Sequence, residues 1–316
     1  MMVLIVEVKY FNDKLVDRSG SALYNISHCD GLFLCVTNDN DNDNYNNYRL
    51  VVWNPCNGQT RWIKPRNSYN FFDRYSLGYE KKENNSLRNH KVLRFMDNYN
   101  WCTEQGLRDF EIYSLNSDSW KVVHLNPDWY IESDQRGVSL KGDTFWFARE
   151  KFQRLGVMND FLLCFDFTND KFGPRLPLPF SSSHLDTVAL SSVREDQLAV
   201  LFQRCGTSRV EIWISDKIEH DAVSWRNCFL AVDMMKPLTP FKLQSNAASF
   251  LVDEKKNVAV VLDKDNVYRP TRDVAYIIGK EGYLETVDLG GSTNEDCPPL
   301  VCSYVPSSVQ IKQAGP

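Results

Sequence analysis

The sequence lacks both an excess of basic residues and long hydrophobic runs. Its 316 residues include 36 Lys and Arg against 41 Asp and Glu, which gives a formal net charge of −5. A basic stripe that could neutralise phosphates is not visible, so a nucleic-acid partner is not predicted. The apolar start, residues 2–8, is too short for a signal-peptide core with its cleavage site and far too short to span a bilayer. A membrane partner is therefore not predicted either.

Paired cysteines are also lacking. The nine cysteines are an odd number, none of them forms a CxxC pair, and several lie inside apolar runs. Together with the missing secretory signal, this pattern predicts reduced, buried thiols in the cytoplasm or nucleus. His28, Cys29 and Cys35 lie close together, but structural zinc needs four ligands, usually arranged as two close pairs. We therefore predict no metal site and no cofactor.

Motifs of common enzyme families are missing as well. The sequence contains no GxSxG, no P-loop and no HExxH. A glycosidase propeller is the catalytic alternative, and it needs paired carboxylates that project into a central pocket. Acidic residues near strand starts or turns usually cap turns, so no catalytic residue is predicted among the four candidates, Asp30, Asp109, Asp160 and Asp273.

Long segments with helical periodicity are missing too, and short apolar runs bounded by turn residues take their place. One unit recurs: an apolar strand that ends in an aromatic residue, a tight polar turn, and a second strand led by another aromatic. Each unit is preceded by another pair of apolar runs, which gives about four strands per repeat, as in a propeller blade. The second aromatics are 52 to 58 residues apart, at Trp62, Trp120, Phe172, Trp225 and Tyr283.

These repeats predict an all-β chain folded as a single, kelch-like β-propeller, with the repeat aromatics packed between blades. Six blades are favoured, and five or seven are allowed. Five blades are nearly complete, and the apolar residues 3–10 and 300–311 can share a sixth that closes the ring and covers its edges. The predicted division is an N-terminal strand and linker at 1–20 that closes the propeller, the propeller itself at 21–311, and a tail at 312–316.

Several segments carry a resemblance to a known family. Residues 27–35 (SHCDGLFLC), 49–65 (RLVVWNPCNGQTRWIKP), 110–123 (FEIYSLNSDSWKVV) and 160–180 (DFLLCFDFTNDKFGPRLPLPF) resemble the plant F-box-associated domain. The resemblance covers nearly the whole chain, in order. It implies a substrate-recruiting subunit of cullin–RING ubiquitin ligases, in which this domain is a propeller-like reader of a protein substrate. The implied process is protein ubiquitination.

Members of this family normally begin with an F-box, a helical segment that docks on the adaptor subunit of the ligase. Residues 1–27 contain no such pattern. The chain therefore resembles the reader without the ligase handle, whether as a truncated gene, a fragment or a protein that lost its F-box. We expect it to bind the adaptor only if an F-box is supplied upstream of Met1.

Two functional hypotheses follow. The first is a non-enzymatic, protein-binding propeller that acts as a substrate reader. The alternative is a carbohydrate-binding or carbohydrate-active propeller. A glycan column would retain the second kind of protein, whereas the first would capture a protein partner.

The alternation of strand direction predicts which face binds that partner. Connections from the second to the third strand of a blade, and from its fourth strand to the next blade, emerge together and are mostly long. The other connections are mostly tight turns, with residues 81–89 and 215–223 as long exceptions. Long loops on a rigid scaffold usually carry binding sites, and Trp and Tyr are favoured anchors. We predict docking on the long-loop face through Phe72, Tyr99, Trp101, Trp129, Tyr130 and Tyr268.

Overall fold

The structure is a computed structural model, and its secondary structure consists almost entirely of β-strands. In the part of the chain that it describes there are 24 strands and one 3-10 turn at Lys280–Gly282. None of the helical segments in that part is long and apolar enough to cross a membrane. The described residues are 2–6, 22–38, 48–67, 69, 73–81, 88–96, 109–132, 134–151, 160–234, 243, 249–265, 272–291 and 299–313.

Five antiparallel blades follow the first strand, β1 (Met2–Val6), along the chain. Blade 1 consists of β2 (Ala22–Cys29), β3 (Leu32–Asn38), β4 (Tyr48–Trp53) and β5 (Thr60–Ile63). Blade 2 consists of β6 (Asp73–Tyr79), β7 (His90–Met96), β8 (Asp109–Ser114) and β9 (Ser119–His124). Blade 3 consists of β10 (Trp129–Tyr130), β11 (Val138–Leu140), β12 (Asp143–Glu150), β13 (Asp160–Asp166) and β14 (Lys171–Phe172).

Blades 4 and 5 complete the series before the last strand, β24 (Leu300–Tyr304). Blade 4 consists of β15 (Thr187–Val193), β16 (Gln197–Gln203), β17 (Arg209–Ile218), β18 (Val223–Trp225) and β19 (Leu230–Asp233). Blade 5 consists of β20 (Ser249–Asp253), β21 (Val258–Lys264), β22 (Arg272–Gly279) and β23 (Leu284–Gly291). The all-β propeller predicted from the sequence is confirmed.

Blades 3 and 4 have five strands each because one strand of each blade is interrupted. In blade 3, β10 and β11 pair with opposite ends of one edge of β12, so together they form the innermost strand. In blade 4, β18 and β19 pair in the same way with one edge of β17 and form the outermost strand. Both blades therefore keep the four-stranded pattern that the repeat predicts.

The ring contains five complete blades in the part of the chain described, which is one of the numbers that the sequence allows. The favoured sixth blade is instead a two-stranded sheet, in which β1 pairs with β24 from Met2–Tyr304 to Val6–Leu300. This sheet contacts both of its neighbours. Ser249 of blade 5 bonds the backbone of Val301, and the ring of Tyr304 stacks on Phe33 of blade 1 at 5.4 Å. The terminal segments identified from the sequence therefore do pair with each other, but they form two strands and not a complete four-stranded blade.

Adjacent residues of a strand face opposite blades, and this alternation builds the core between blades. Leu50 packs in the cluster between blades 1 and 2, whereas Val51 packs against β24. Leu162 and Leu163 divide in the same way between the neighbours of blade 3. Nearly continuous apolar runs result, because both faces of each central strand are buried.

The repeat aromatics are not all buried, which differs from the prediction. Trp53 and Tyr113 lie in the core, but Trp62 is 39% exposed, with the Arg49 guanidinium 4.2 Å above its ring. Trp62 is exposed because it lies on β5, the outermost strand of blade 1, which is an edge strand of its sheet. The tryptophans on the outermost strands of blades 2 and 4 have a different role. Each indole N–H donates a hydrogen bond to the chain segment that enters its blade from the preceding one. Trp120 Nε1 donates to the Lys64 carbonyl at 2.8 Å and Trp225 Nε1 to the Pro177 carbonyl at 2.8 Å.

Candidate functional site

The antiparallel pairing within every blade separates the connections into two faces, as predicted. We call the long-loop face the side of the ring at which β3, β5, β7, β9, β12, β14, β16, β19, β21 and β23 end. The opposite, tight-turn face carries the described turns at residues 30–31, 54–59, 80–81, 88–89, 115–118, 141–142, 167–170, 194–196, 219–222, 254–257 and 280–283. The expected long loop at 215–223 is shorter than predicted, because β17 continues to Ile218 and leaves a turn of four residues.

Four of the six predicted anchors on the long-loop face lie outside the described residues. These are Phe72, Tyr99, Trp101 and Tyr268. They therefore stay predictions.

Trp129, the fifth predicted anchor, is a core residue in the structure. Its side chain is buried and lies edge-on to Phe172 at 4.8 Å and to Phe110 at 6.3 Å between ring centroids. The reason is that residues 129–130 are not part of a free loop: they pair with β12 as the interrupted inner strand of blade 3. The ring of Trp129 is thus not available to a partner in this structure.

Tyr130, the sixth anchor, is half-buried on the same short strand and points to the other side of the blade. Burial raises the pKa of its phenol, so the hydroxyl stays protonated at neutral pH. The side chain interacts with Arg149, a buried residue near the end of β12. Of the predicted anchors described here, Tyr130 is the one that retains accessible surface on the long-loop face.

Arg149 organises the described part of the long-loop face. Its guanidinium lies 2.6 Å from Glu132 and 3.5 Å from Asp160, and it donates to the Ser183 carbonyl at 3.3 Å. Burial raises the pKa values of both carboxyl groups. The guanidinium thereby ties the connections 131–137 and 173–186 to blade 3, which gives this part of the face a fixed shape.

An exposed apolar side chain lies in the second of these tied connections. Leu185 is 56% exposed, two residues after the Ser183 carbonyl that Arg149 holds. Nothing in the sequence singles out Leu185, because it is not aromatic and lies in a polar run. A single exposed aliphatic side chain is common on protein surfaces, so Leu185 is a candidate because it lies on a connection that Arg149 holds in place.

The tight-turn face has a polar depression of about 510 Å³ at the mouth of the central channel. Asp30 contacts Arg88 and lies 3.0 Å from His90 Nε2, and Arg194 lies 2.8 Å from Glu254. Lys141, Glu195 and Asp196 line the same depression. Although burial alone raises the pKa of Asp30, hydrogen bonds to His90 and Arg88 hold it below the ordinary value. The depression therefore presents both signs of charge and favours no single class of ligand.

The possible zinc ligands are not brought together. Cys29 packs in the core between blades 1 and 2, whereas Cys35 packs on the opposite side of blade 1, against β24. Burial raises the pKa values of both thiols far above the ordinary range, so they stay protonated. In the described part of the chain, no three His, Cys, Asp or Glu side chains are placed to hold a metal ion.

The carboxylates of the glycosidase alternative are likewise separated. Asp30 belongs to the tight-turn face of blade 1, Asp160 begins β13 in blade 3, and Asp273 lies in β22 of blade 5. Asp30 and Asp160 lie beside Arg88 and Arg149, and Asp273 lies 3.6 Å from Lys264. The side chain of Asp109 is outside the described set. The three described carboxylates thus form ion pairs in different blades, which is not the arrangement of a catalytic pair.

Comparison with known proteins gives a consistent result. The F-box associated beta propeller domain matches residues 5–311. An F-box/kelch-repeat protein of Arabidopsis thaliana is 62% identical over 296 residues, which cover 90% of this chain and 73% of that protein. An F-box protein of the same plant is 53% identical over 293 residues, which cover 91% of this chain and 71% of the relative.

Among solved structures, an alpha-L-arabinanase of Penicillium chrysogenum complexed with arabinobiose aligns over 92% of this chain and 86% of its own, with 10% identity. Its TM-score of 0.48 is too low to bear on function. The match to residues 5–311 and the two plant relatives settle the family. The chain belongs to the F-box associated beta propeller domain family, as the resemblance of its strand and turn motifs predicted.

Proposed function

We propose that this propeller is a non-enzymatic reader that binds a protein substrate for a cullin–RING ubiquitin ligase. The observation that carries the proposal is the family membership, because the relatives that match over at least 90% of this chain are F-box proteins. Contact with the ligase adaptor requires an F-box in addition to residues 1–316. The place of action is the cytoplasm or nucleus.

The proposed binding surface is the long-loop face. Support comes from Tyr130 and Leu185, which combine partly exposed apolar surface with a backbone fixed through Arg149. A rigid support lowers the entropy lost on binding, so such side chains contribute more affinity than those on loose loops. Phe72, Tyr99, Trp101 and Tyr268 follow or precede, in sequence, strand ends at this face, and we include them in the proposed surface.

The polar depression on the tight-turn face is the weaker candidate. Arg88 and Arg194 are already paired with acidic residues, and Lys141 shares the lining with Glu195 and Asp196. An incoming charged group would therefore displace an existing partner or meet charge of its own sign. Breaking a pair without replacing it costs free energy and gives no net gain in affinity. We therefore use this face as the reference surface in the experiments below.

The test is capture of a protein by the full chain of 316 residues. The chain, fused to a proximity-labelling enzyme, is expressed in plant cells, and each enriched protein is purified and tested for direct binding by calorimetry. The same purified chain is applied to a glycan array. Saturable binding of a purified protein with no retained glycan supports the proposal. Retention of a glycan without a protein that binds directly would support the carbohydrate alternative instead.

A further inference from the structure

Residues 305–313, which follow β24, run in an extended conformation across the tight-turn face of blade 1. Their exposure alternates: Ser307 and Val309 are partly buried and Ile311 is 3% exposed, whereas the residues between them are exposed. Alternation with a period of two is typical of a strand that lies on a surface. The side chain of Ile311 enters the core between blades 1 and 2, with Val309 packed beside it.

Side chains of the turn at residues 54–59 bond the backbone of residues 305–313. Asn54 is fully buried, and its Nδ2 donates to the Ser307 carbonyl at 3.0 Å and to the Val309 carbonyl at 2.8 Å. Gln59 Oε1 accepts the Ile311 amide at 2.9 Å. Contacts to main-chain groups recognise an extended peptide regardless of most of its side chains.

Arg61 joins the same segment to blade 2. Its buried guanidinium donates to the Lys312 carbonyl, to the Leu115 carbonyl at 2.6 Å and to the Tyr113 hydroxyl at 2.7 Å. Lys312 in turn donates its ammonium group to the Asn116 carbonyl at 2.8 Å. One cation of blade 1 thus connects the segment with the β8–β9 hairpin of blade 2.

Gly31 leaves the space through which the segment passes. A Cβ atom at this position would lie 2.3 Å from the Cβ of Ser307 and 2.9 Å from the carbonyl oxygen of Val305. Gly31 also has a φ of +73°, a conformation that L side chains rarely adopt. Glycine at this position therefore permits both the positive φ of the β2–β3 turn and the close approach of residues 305–307.

We propose that residues 305–313 are a separable clasp, bound in a peptide slot made by Asn54, Gln59 and Arg61, that locks the propeller ring after β1 and β24 have paired. The two-stranded β1–β24 sheet is the narrowest part of the ring, and the clasp starts directly at its end. The clasp bridges blades 1 and 2, so it adds a second attachment on the far side of blade 1. Most residues of the clasp are exposed and its apolar contact is limited to Val309 and Ile311, so it opens before the blades do.

Hydrogen–deuterium exchange of the full chain tests the clasp. In the unsubstituted protein, the Ile311 amide, which donates to Gln59 Oε1, should exchange at least tenfold more slowly than in the same sequence as a free peptide. Asn54→Asp keeps the acceptor for the Cys56 amide but removes both N–H donors to the clasp. This substitution should accelerate exchange of the Ile311 amide at least tenfold and leave the central strand β16 unchanged.

Two further variants keep the test decisive. Gln59→Ala removes the side-chain oxygen that accepts the Ile311 amide and changes a residue at the surface. This substitution should accelerate exchange in the clasp even if Asn54→Asp disturbs folding. Ser308→Ala changes an exposed side chain and leaves every backbone contact in place, so it should have no effect. Unchanged exchange of the Ile311 amide in Asn54→Asp and Gln59→Ala would overturn the proposal, as would equal acceleration of β16, because a separable clasp opens on its own.

Discussion

At the scale of single residues, a network of buried ion pairs lies near the long-loop end of blade 2. Arg94 is buried with its guanidinium 2.6 Å from Asp73 and 2.9 Å from Glu111. Arg66 lies 2.7 Å from the same Glu111 but is 38% exposed. The two arginines share a carboxylate partner and differ in burial, which makes them a matched pair.

Arg94→Met should destabilise the fold far more than Arg66→Met. The first change leaves two buried carboxylates without their main cation, at a cost of about 3–5 kcal/mol in the free energy of unfolding. The second removes a partly exposed ion pair, at a cost of at most about 1 kcal/mol. Urea denaturation of the two variants measures the difference. Equal losses would mean that the buried network is not what holds this end of blade 2.

His28 makes the stability of the fold depend on pH. Burial lowers the pKa of its imidazole to about 4 from an ordinary value of 6.5, so the folded protein keeps the ring neutral while the unfolded chain protonates it. Stability is therefore complete well above pH 6.5 and falls as the pH drops, by about 2 kcal/mol at pH 5 and about 3 kcal/mol at pH 4. Urea denaturation at pH 7, 6 and 5 should show this loss, and His28→Gln should reduce it. An identical pH dependence in His28→Gln would assign the loss to other groups.

At the scale of elements, the sequence predicts strands and turns well because their chemistry is local. The turn Asp30-Gly31 adopts positive φ at both positions, 56° and 73°, as expected between two paired apolar strands. The interruption between β10 and β11 was not predicted, since nothing local distinguishes residues 131–137 from a loop. Trp129 was assigned to the surface for the same reason. Its burial depends on Phe110 and Phe172, which are distant in sequence.

The tryptophans of the outermost strands should contribute measurably to blade packing. Trp120→Phe and Trp225→Phe each remove one hydrogen bond to the preceding connection and leave most of the ring, so each should lower the free energy of unfolding by about 1 kcal/mol. Trp62→Phe is the matched control, because its exposed ring serves mainly as a surface for Arg49. Thermal denaturation compares the three. A control that loses as much as the other two would contradict a role for the indole N–H.

At the scale of the whole molecule, the number of blades could not be read from the sequence. The repeat spacing located five blades, and the apolar terminal segments suggested a sixth. Whether those segments make two strands or four depends on tertiary pairing, and the structure shows two, β1 and β24. The slot for residues 305–313 was missed for a related reason: Asn54 and Arg61 lie in an ordinary hairpin, and their partners are about 250 residues away.

The proposed role as a substrate reader predicts whether residues 1–316 bind the adaptor of the ligase. Residues 1–316 alone should not bind the purified adaptor in size-exclusion chromatography, because the F-box supplies the helical apolar surface for that contact. A fusion with an F-box upstream of Met1 should bind. Stable co-elution of residues 1–316 with the adaptor would show that the propeller itself makes the contact.

The central claim is that the long-loop face reads the partner, and the affinity of a purified partner for matched surface variants tests it most directly. Tyr130→Ala and Leu185→Ala change the long-loop face. Tyr283→Ala and Val305→Ala change exposed side chains of similar kind, 50% and 40% exposed, on the opposite face. Calorimetry on folded variants should show at least tenfold weaker binding for the first pair and unchanged binding for the second. Loss of binding in the second pair alone would contradict the account and assign the partner to the tight-turn face.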